Sequence, residues 1–243
     1  MIELKQITKT YNAGRANEFT AIADIELDIA DNTVSAFVGP SGSGKTTLLS
    51  VIGCMARPTA GRIFVSGQET TSLPEKFLAQ IRRSTYGFVF QDHNLIKGIS
   101  VLENTMLPAY PLGEKYKTLR ERAMALLDRL KIGNKATRRI GELSGGERQR
   151  AAIARALIND PVIVIADEPT AHLDTALSAE FLDIAADLVA DGKTVLIASH
   201  DPLVFEASII DRVIEMCDGQ IIDQRDGKRE AQIKSSSKLK AQS

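Results

Sequence analysis

The sequence predicts an α/β protein with a mostly parallel sheet, an antiparallel β part at its N-terminus and an inserted α-helical subdomain. Three short apolar runs indicate the parallel sheet, at residues 34–38, 162–166 and 194–198. Continuous runs of this kind are typical of strands that are buried on both faces. Residues 101–158, in contrast, have an almost wholly helical pattern. Strands and helices that alternate on both sides of a helical block indicate a layered sheet with an inserted subdomain.

The N-terminal part combines alternating and continuous apolar segments. Apolar and polar residues alternate at residues 2–7 and 25–29, so both segments are predicted to be half-buried strands. The buried run at 34–38 enters a glycine-rich loop, and residues 46–55 follow with helical character. Residues 62–65 are predicted to form the next strand.

The rest of the chain returns to alternating helices and strands after the helical block. The predicted elements are a helix at 74–83, a strand at 88–90, an amphipathic helix at 119–130, a strand at 162–166, a helix at 176–190 and a strand at 194–198. We therefore predict one domain at residues 1–224, with a helical subdomain at about 92–158. Residues 225–243 are predicted to be a basic, disordered tail.

Composition excludes several classes of function. The 30 Lys and Arg residues balance 31 Asp and Glu residues, whereas nucleic-acid binders are usually more basic, so no nucleic-acid partner is expected. Cys54 and Cys217 lie far apart and outside any metal-ligand spacing, which indicates free thiols in a reducing compartment. No apolar run approaches the roughly 20 residues that span a bilayer. We therefore expect a cytoplasmic protein without a transmembrane segment of its own.

The glycine-rich loop matches the phosphate-binding pattern G-x-x-x-x-G-K-[ST] between a strand and a helix. The predicted nucleotide-binding residues are Gly39, Pro40, Ser41, Gly42, Ser43, Gly44, Lys45, Thr46 and Thr47. Glycines allow the loop to direct its N–H groups at phosphate oxygens, and the helix adds its positive N-terminal end. Lys45 is expected to contact the β- and γ-phosphates, and the Thr46 hydroxyl to ligate Mg²⁺. GTPases, kinases and motors share this pattern, so it predicts a nucleotide without specifying the task.

Two adjacent acids, Asp167 and Glu168, directly follow the apolar run at 162–166. Ligands of open α/β sheets bind at the carboxyl ends of the strands. Asp167 is therefore predicted to hold Mg²⁺, and Glu168 to polarise an attacking water. Phosphoryl transfer depends mainly on positioning and charge neutralisation, which these groups can supply.

A second candidate anion site begins at Ser144, which is predicted to cap a helix that starts with Gly145 and Gly146. Two glycines at a helix start leave accessible N–H groups at the positive end of the helix dipole. Because the chain already has a phosphate loop, this second site is predicted to face the phosphate of another subunit.

These motifs together resemble the ABC ATPase family, whose signature is L-S-G-G-E/Q. The resemblance extends from Tyr11 to about Asp223 and includes, in the family's order, the phosphate loop, Gln91, the segment Leu143, Ser144, Gly145, Gly146 and Glu147, the pair Asp167 and Glu168, Leu173 with Asp174, and His200. The family has a P-loop NTPase core, binds ATP and Mg²⁺, and works as a dimer beneath an integral membrane permease. The resemblance thus implies an ATPase peripheral on the cytoplasmic face of the inner membrane.

The resemblance also implies a role for each matching residue. Tyr11 would stack on adenine, and the alternative interpretation is an ordinary tyrosine at a strand end. Gln91 would contact Mg²⁺ and the attacking water. His200 would bind the γ-phosphate, and Asp174 would couple the two subunits. The residues expected to act on the opposite subunit's nucleotide are Ser144, Gly145, Gly146, Glu147 and Gln149.

Three further features concern the branch of the family, the subunit-coupling loop and the surface near Gln91. Residues 87–91 and 101–104 resemble the branch that serves lipoprotein release and macrolide efflux, which implies export or extraction. An ATPase that regulates a cell-division complex is the alternative. His172 departs from the family's usual loop, and this departure implies altered, pH-sensitive control of subunit coupling. The apolar residues near Gln91 are interpreted either as a permease docking patch or as subdomain core; they are Leu95, Ile96, Ile99, Val101 and Leu102.

Overall fold

A computed structural model describes residues 1–171 and 174–229. Its strands are β1 (Ile2–Tyr11), β2 (Phe19–Ile29), β3 (Val34–Val38), β4 (Ala60–Val65), β5 (Gln68–Glu69), β6 (Tyr86–Val89), β7 (Ile163–Asp167), β8 (Thr194–Ala198), β9 (Arg212–Cys217) and β10 (Gln220–Asp226). Its helices are α1 (Lys45–Ile52), α2 (Glu75–Thr85), α3 (Val101–Met106), α4 (Tyr116–Arg129), α5 (Gly145–Leu157), α6 (Thr175–Ala190) and α7 (Pro202–Phe205). The predicted helices and strands are present with shifted ends, while β5, β9 and β10 were not predicted.

Two sheets form the β part of the molecule. The smaller sheet has the strand order β2-β1-β4-β5 and is antiparallel throughout. The larger sheet has the order β10-β9-β3-β8-β7-β6, and only its edge strand β10 runs antiparallel to its neighbour. This arrangement confirms the predicted fold class. It also places the C-terminal ends of β3, β7 and β8 at one edge of the sheet.

The larger sheet separates two apolar clusters because its side chains alternate between faces. In β3, Val34 and Ala36 face a cluster that includes helices α3 to α6. Phe37 faces a second cluster, formed with α1 and the smaller sheet. Burial on both faces explains why β3, β7 and β8 are continuous apolar runs in the sequence.

The C-terminal boundary differs from the predicted one. β10 extends to Asp226, and Arg225 lies 3.6 Å from carboxylate oxygens of Glu215 and Asp223 within the hairpin. Arg229 then pairs with Asp211 at 3.1 Å. The tail predicted to start at 225 thus begins inside a strand, because cross-strand ion pairs and the β-ladder hold these residues. Residues 230–243 lie outside the described part of the chain.

None of the helices in the two described ranges has the length and apolar character that crossing a membrane requires.

Candidate functional site

The phosphate-binding loop connects β3 to α1 and has a backbone that glycine adopts most readily. Gly39, Gly42 and Gly44 have φ angles of 141°, 82° and 101°, a region that L side chains resist. A Cβ atom on Gly39 would lie 2.1 Å from the carbonyl oxygen of Met216. A Cβ atom on Gly42 would meet no atom within 4 Å. The loop is therefore packed against β9 on one side and open on the other.

Lys45, the first residue of α1, is buried inside this loop. Its ammonium donates hydrogen bonds to the carbonyl oxygens of Gly39 and Pro40, at 2.8 and 2.9 Å, and to Ser43 Oγ at 3.4 Å. No side chain caps α1, whose N-cap residue is Gly44. The first N–H groups of a helix have no partner within the helix. The loop thus presents a cation and backbone donors to an anion.

Thr46 and Asp167 meet where α1 and β7 lie side by side. The Thr46 hydroxyl donates a hydrogen bond to Asp167 Oδ1 at 3.0 Å. Burial raises the pKa of Asp167, and the hydrogen bond from Thr46 opposes this rise. Mg²⁺ is commonly bound by one or two carboxylates together with substrate phosphates. This oxygen-only pair beside the phosphate loop therefore fits a magnesium ion.

Glu168 and His200 follow the adjacent strands β7 and β8. Glu168 Oε2 lies 3.0 Å from Nδ1 of His200, and the Glu168 N–H donates a hydrogen bond to the carbonyl oxygen of Ala198 at 2.9 Å. Glu168 has a φ angle of 47°, which is uncommon for a residue other than glycine. Such backbone conformations cluster at functional sites, where surrounding contacts hold them in place. The backbone strain and the hydrogen bond orient this carboxylate.

A cavity of about 460 Å³ brings most of the predicted residues together. Its predicted lining residues are Pro40, Ser41, Gly42, Ser43, Gly44, Lys45, Thr46, Thr47, Gln91, Glu168 and His200. Phe19 and Ala21 of β2 also line the cavity, and neither was predicted. Their spacing of two places them on one face of the strand. That alternation was the available signal, but the predicted strand began only at residue 25.

Tyr11 does not line this cavity, although it was predicted to contact adenine. Tyr11 is paired with Phe19 across β1 and β2, and it lines a neighbouring cavity of about 310 Å³ that also includes Thr46 and Asp167. The Lys9 ammonium lies 5.0 Å from the centroid of the Tyr11 ring. Adenine stacking on Tyr11 stays a prediction, and Phe19 is a second aromatic residue near the phosphate loop.

The start of α5 lies outside the phosphate-loop cavity. Ser144 is exposed and caps the helix: its Oγ accepts a hydrogen bond from the Glu147 N–H at 3.3 Å, and Glu147 Oε2 accepts one from the Ser144 N–H at 2.8 Å. Lys135 lies 3.1 Å from the Glu147 carboxylate. The Ser144 N–H and, to a smaller extent, Lys135 lower the pKa of Glu147.

Gly146 and Asp174 bring the start of α5 into contact with the start of α6. A Cβ atom on Gly146 would lie 2.5 Å from Leu177 Cδ2, so this glycine allows the two helices to approach closely. The carboxylate of Asp174 caps α6 by accepting a hydrogen bond from the Leu177 N–H at 2.9 Å. His172, the departure from the family's pattern, lies outside the described residues.

Gln149, which was predicted to contact the opposite subunit's nucleotide, has a hydrogen-bond partner within its own chain, and its contact across a dimer stays a prediction. Its side chain is buried, and Nε2 donates a hydrogen bond to the carbonyl oxygen of Pro169 at 2.7 Å. Gln149 is the fifth residue of α5 and lies about one helical turn further into the protein than the exposed Ser144. Gln149 therefore connects α5 to the loop that follows Glu168.

The predicted apolar patch near Gln91 divides into core and surface. Val101 and Leu102 are buried, as the core interpretation expects, whereas Ile96 is 46% exposed. A groove of about 320 Å³ lies nearby and includes Phe90, Met55, Tyr86 and Arg155 among its lining residues. Arg155 donates hydrogen bonds to the carbonyl oxygens of residues 93 and 94, which ties the loop before Ile96 to this groove.

The chain resembles known proteins over most of its length. The family model described as ABC transporter matches residues 22–171. The chain is 42% identical to the macrolide export ATP-binding/permease protein MacB of Hyphomonas neptunium, over 95% of this chain and 35% of that protein. It is 40% identical to the probable syringafactin export ATP-binding/permease protein SyfD of Pseudomonas syringae pv. tomato, over 93% of this chain and 33% of that protein. The chain thus spans about a third of these relatives' lengths.

Solved structures show the same architecture. A dimeric ATP-binding cassette in a post-hydrolysis state, bound to ADP and Pi, aligns with a TM-score of 0.85 and 37% identity, covering 93% of this chain and 98% of that one. A cassette solved in its ADP conformation aligns with a TM-score of 0.82 and 28% identity, covering 96% of this chain and 93% of that one.

Proposed function

Since the chain belongs to the ABC transporter family and is an ATPase of that family, we propose that it dimerises on ATP to drive an integral membrane permease. The proposed transport process is export, or extraction from the inner membrane, because the relatives named above are export proteins. The proposed location is the cytoplasmic face of that membrane. One observation carries the proposal: Lys45, the Thr46–Asp167 pair and the Glu168–His200 pair converge beside a single phosphate loop.

Nucleotide binding is assigned to the loop and the two residues at its edge. Phosphate oxygens would replace the loop carbonyls that now accept hydrogen bonds from Lys45, since the ammonium is already within the loop. Thr46 and Asp167 would hold Mg²⁺, which supplies charge neutralisation of the β- and γ-phosphates when bound. Phe19 and Ala21 form the wall of the cavity on the side of β2.

Hydrolysis is assigned to Glu168, with His200 and Gln91 as supporting groups. The Glu168 carboxylate would accept a proton from the attacking water, and His200 holds the carboxylate in place through Nδ1. Gln91 is exposed at the cavity edge, where its amide would position the same water.

A second subunit is proposed to complete the site. The start of α5 has the unpaired N–H groups of a helix N-terminus at Gly145 and Gly146, but it lies away from its own chain's phosphate loop. In a head-to-tail dimer, Ser144, Gly145 and Gly146 would bind the γ-phosphate held by the opposite loop. Differential affinity for ATP between open and closed dimers would then drive the change of shape.

The permease is proposed to dock at the groove beside Gln91. Phe90 lines this groove and directly precedes Gln91, so an occupant there lies one residue from the catalytic cavity. Copurification of permease subunits from a detergent extract tests this partner. An extract that yields the ATPase without any integral membrane protein would contradict it.

The central test is the variant Glu168→Gln. It should bind ATP, hydrolyse it about 10²–10⁴-fold more slowly, the usual contribution of a general base, and accumulate as an ATP-dependent dimer. Turnover is measured by phosphate release and mass by light scattering during gel filtration. Glu121→Gln, on the exposed side of α4, is the matched control and should behave as wild type. Unchanged turnover would remove Glu168 from its role, and a strictly monomeric ATP-loaded variant would refute the dimer.

A further inference from the structure

The turn between β9 and β10 contacts the phosphate loop although it lies more than 170 residues further along the chain. The N–H of Gly219 donates a hydrogen bond to the carbonyl oxygen of Ser43 at 3.1 Å. The carbonyl oxygen of Gly219 accepts one from the N–H of Ala23 at 2.9 Å. A single peptide segment of the turn therefore links the loop to β2, the strand that lines the opposite wall of the cavity.

The backbone of Gly219 lies too close to β2 to leave room for a side chain at position 219. Gly219 is buried, and a Cβ atom on it would lie 2.7 Å from the Ala21 carbonyl oxygen and 3.1 Å from Ile22 Cα. From the loop side, a Cβ atom on Gly44 would lie 3.4 Å from Gly219 Cα. These neighbours are backbone atoms, which cannot move aside as a flexible side chain can. Only a residue without Cβ preserves the spacing.

We propose that Gly219 is a positioning residue for the phosphate loop, and that the β9–β10 turn sets nucleotide affinity by holding Ser43 and Gly44 in place. This inference rests on the proposed nucleotide site. Ser43 Oγ also accepts one of the three hydrogen bonds of the Lys45 ammonium, at 3.4 Å, so Ser43 contributes to the position of the cation. Loop N–H groups bind phosphate well only when they are held in a fixed geometry.

The smaller sheet contains a matched control. The β4–β5 turn has Ser66 and Gly67 with φ angles of 50° and 80°, and the β9–β10 turn has Asp218 and Gly219 with 47° and 77°. Both are two-residue hairpin turns with positive φ at both positions. A Cβ atom on Gly67, however, would meet nothing within 4 Å. Alanine therefore has the same backbone penalty at both sites, but a steric clash only at 219.

The experiment compares Gly219→Ala with Gly67→Ala by calorimetric titration of Mg-ADP, a ligand that is not consumed. Gly219→Ala should weaken binding about tenfold or more, the effect of losing one hydrogen bond to a charged group. Gly67→Ala should bind within about twofold of wild type, as a surface substitution does. In steady-state ATPase assays, Gly219→Ala should raise KM with kcat within about twofold, because the groups that act in hydrolysis are untouched.

A second pair of variants decides the question if Gly219→Ala does not fold. Asp218→Gly adds no atom but increases the conformational freedom of the β9–β10 turn, and it should weaken Mg-ADP binding about threefold. Ser66→Gly, in the β4–β5 turn, should leave this affinity unchanged. Equal affinity in wild type and the folded β9–β10 variants would overturn the positioning role. Failure of wild type itself to bind Mg-ADP would instead refute the proposed nucleotide site.

Discussion

Among the α-helices in the described part of the chain, α1 and α5 have glycine at their N-terminal ends, and these two ends are capped differently. α1 begins after Gly44, has no side-chain cap and no acid in its first turn, and starts with a buried lysine. α5 begins after Ser144, has a complete capping box and has Glu147 in its first turn. Both have the dipole and N–H groups that suit an anion. Only α1 combines them with a cation inside the same loop.

This difference predicts that the N-terminal ends of α1 and α5 bind anions differently. The α1 loop can bind a phosphate group alone, because Lys45 and the N–H groups converge on it. At α5 the carboxylate of Glu147 already accepts the Ser144 N–H, and Lys135 balances its charge. A free anion therefore meets an ion pair there rather than an isolated cation. We infer that α5 adds affinity only for a nucleotide that another surface already holds.

The largest effect on nucleotide affinity is expected from removing Lys45, the cation inside the phosphate loop. Lys45→Ala should weaken Mg-ATP binding about 100-fold or more, because charge-assisted hydrogen bonds each contribute roughly 1.5–3 kcal/mol. Equilibrium titration of the nucleotide measures the change. Lys5→Ala is the control, since that side chain is 60% exposed and its partners, Glu3 and the Phe64 ring, lie in the smaller sheet. If Lys45→Ala bound Mg-ATP with normal affinity, the cation would not distinguish the N-terminal end of α1 from that of α5.

A smaller and more selective effect is expected at α5. Ser144→Ala should leave Mg-ADP affinity unchanged, lower the free energy of unfolding by about 1 kcal/mol through loss of the cap, and weaken ATP-driven dimerisation in the Glu168→Gln background about tenfold. Light scattering during gel filtration at several protein concentrations measures the dimer.

Ser100→Ala is the matched control for this variant. Ser100 and Glu103 form the same capping box on α3, so that substitution should reduce stability to a similar degree without affecting dimerisation. Equal loss of dimer in both variants would mean that Ser144 acts through helix stability alone.

Local patterns predicted the phosphate loop, the acidic pair and the cap of α5, because each depends on residues that are neighbours in sequence. Glycine spacing specifies a loop backbone, and Ser144 with Glu147 three positions later specifies a capping box. The parallel strands were recognisable because burial on both faces makes them continuously apolar.

Features that depend on distant contacts could not be read in the same way. Gln149 has the sequence position of a signature residue, yet its direction depends on Pro169, which is 20 residues away in another element. The contact between Gly219 and Ser43 joins the β9–β10 turn to the phosphate loop, which are neighbours because β9 pairs with β3. Phe19 was missed because its alternation with Ala21 is short and directly follows a polar loop, so the predicted strand began only at residue 25.

The smallest effect concerns the ion pair that distinguishes α5 from α1. The folded state lowers the pKa of Glu147 below its usual 4.5, mainly through the Ser144 N–H and further through Lys135. A carboxyl group with a lowered pKa stabilises the folded state above its unfolded pKa, and that stabilisation disappears as the pH falls through the folded value. The capping box should therefore weaken only on acidification below about pH 4.5.

Lys135→Ala should raise the pKa of Glu147 towards its usual value without reaching it, since the larger cause remains. NMR titration of the side-chain carboxyl carbons measures this shift. Glu103 is the internal reference, because its pKa is lowered by Ser100 alone, without a lysine. A Glu147 pKa that does not change in Lys135→Ala would show that the lysine does not balance this carboxylate. Approaching phosphate would then meet an uncompensated negative charge at α5, and the contrast between the two helix starts would be greater than the ion pair implies.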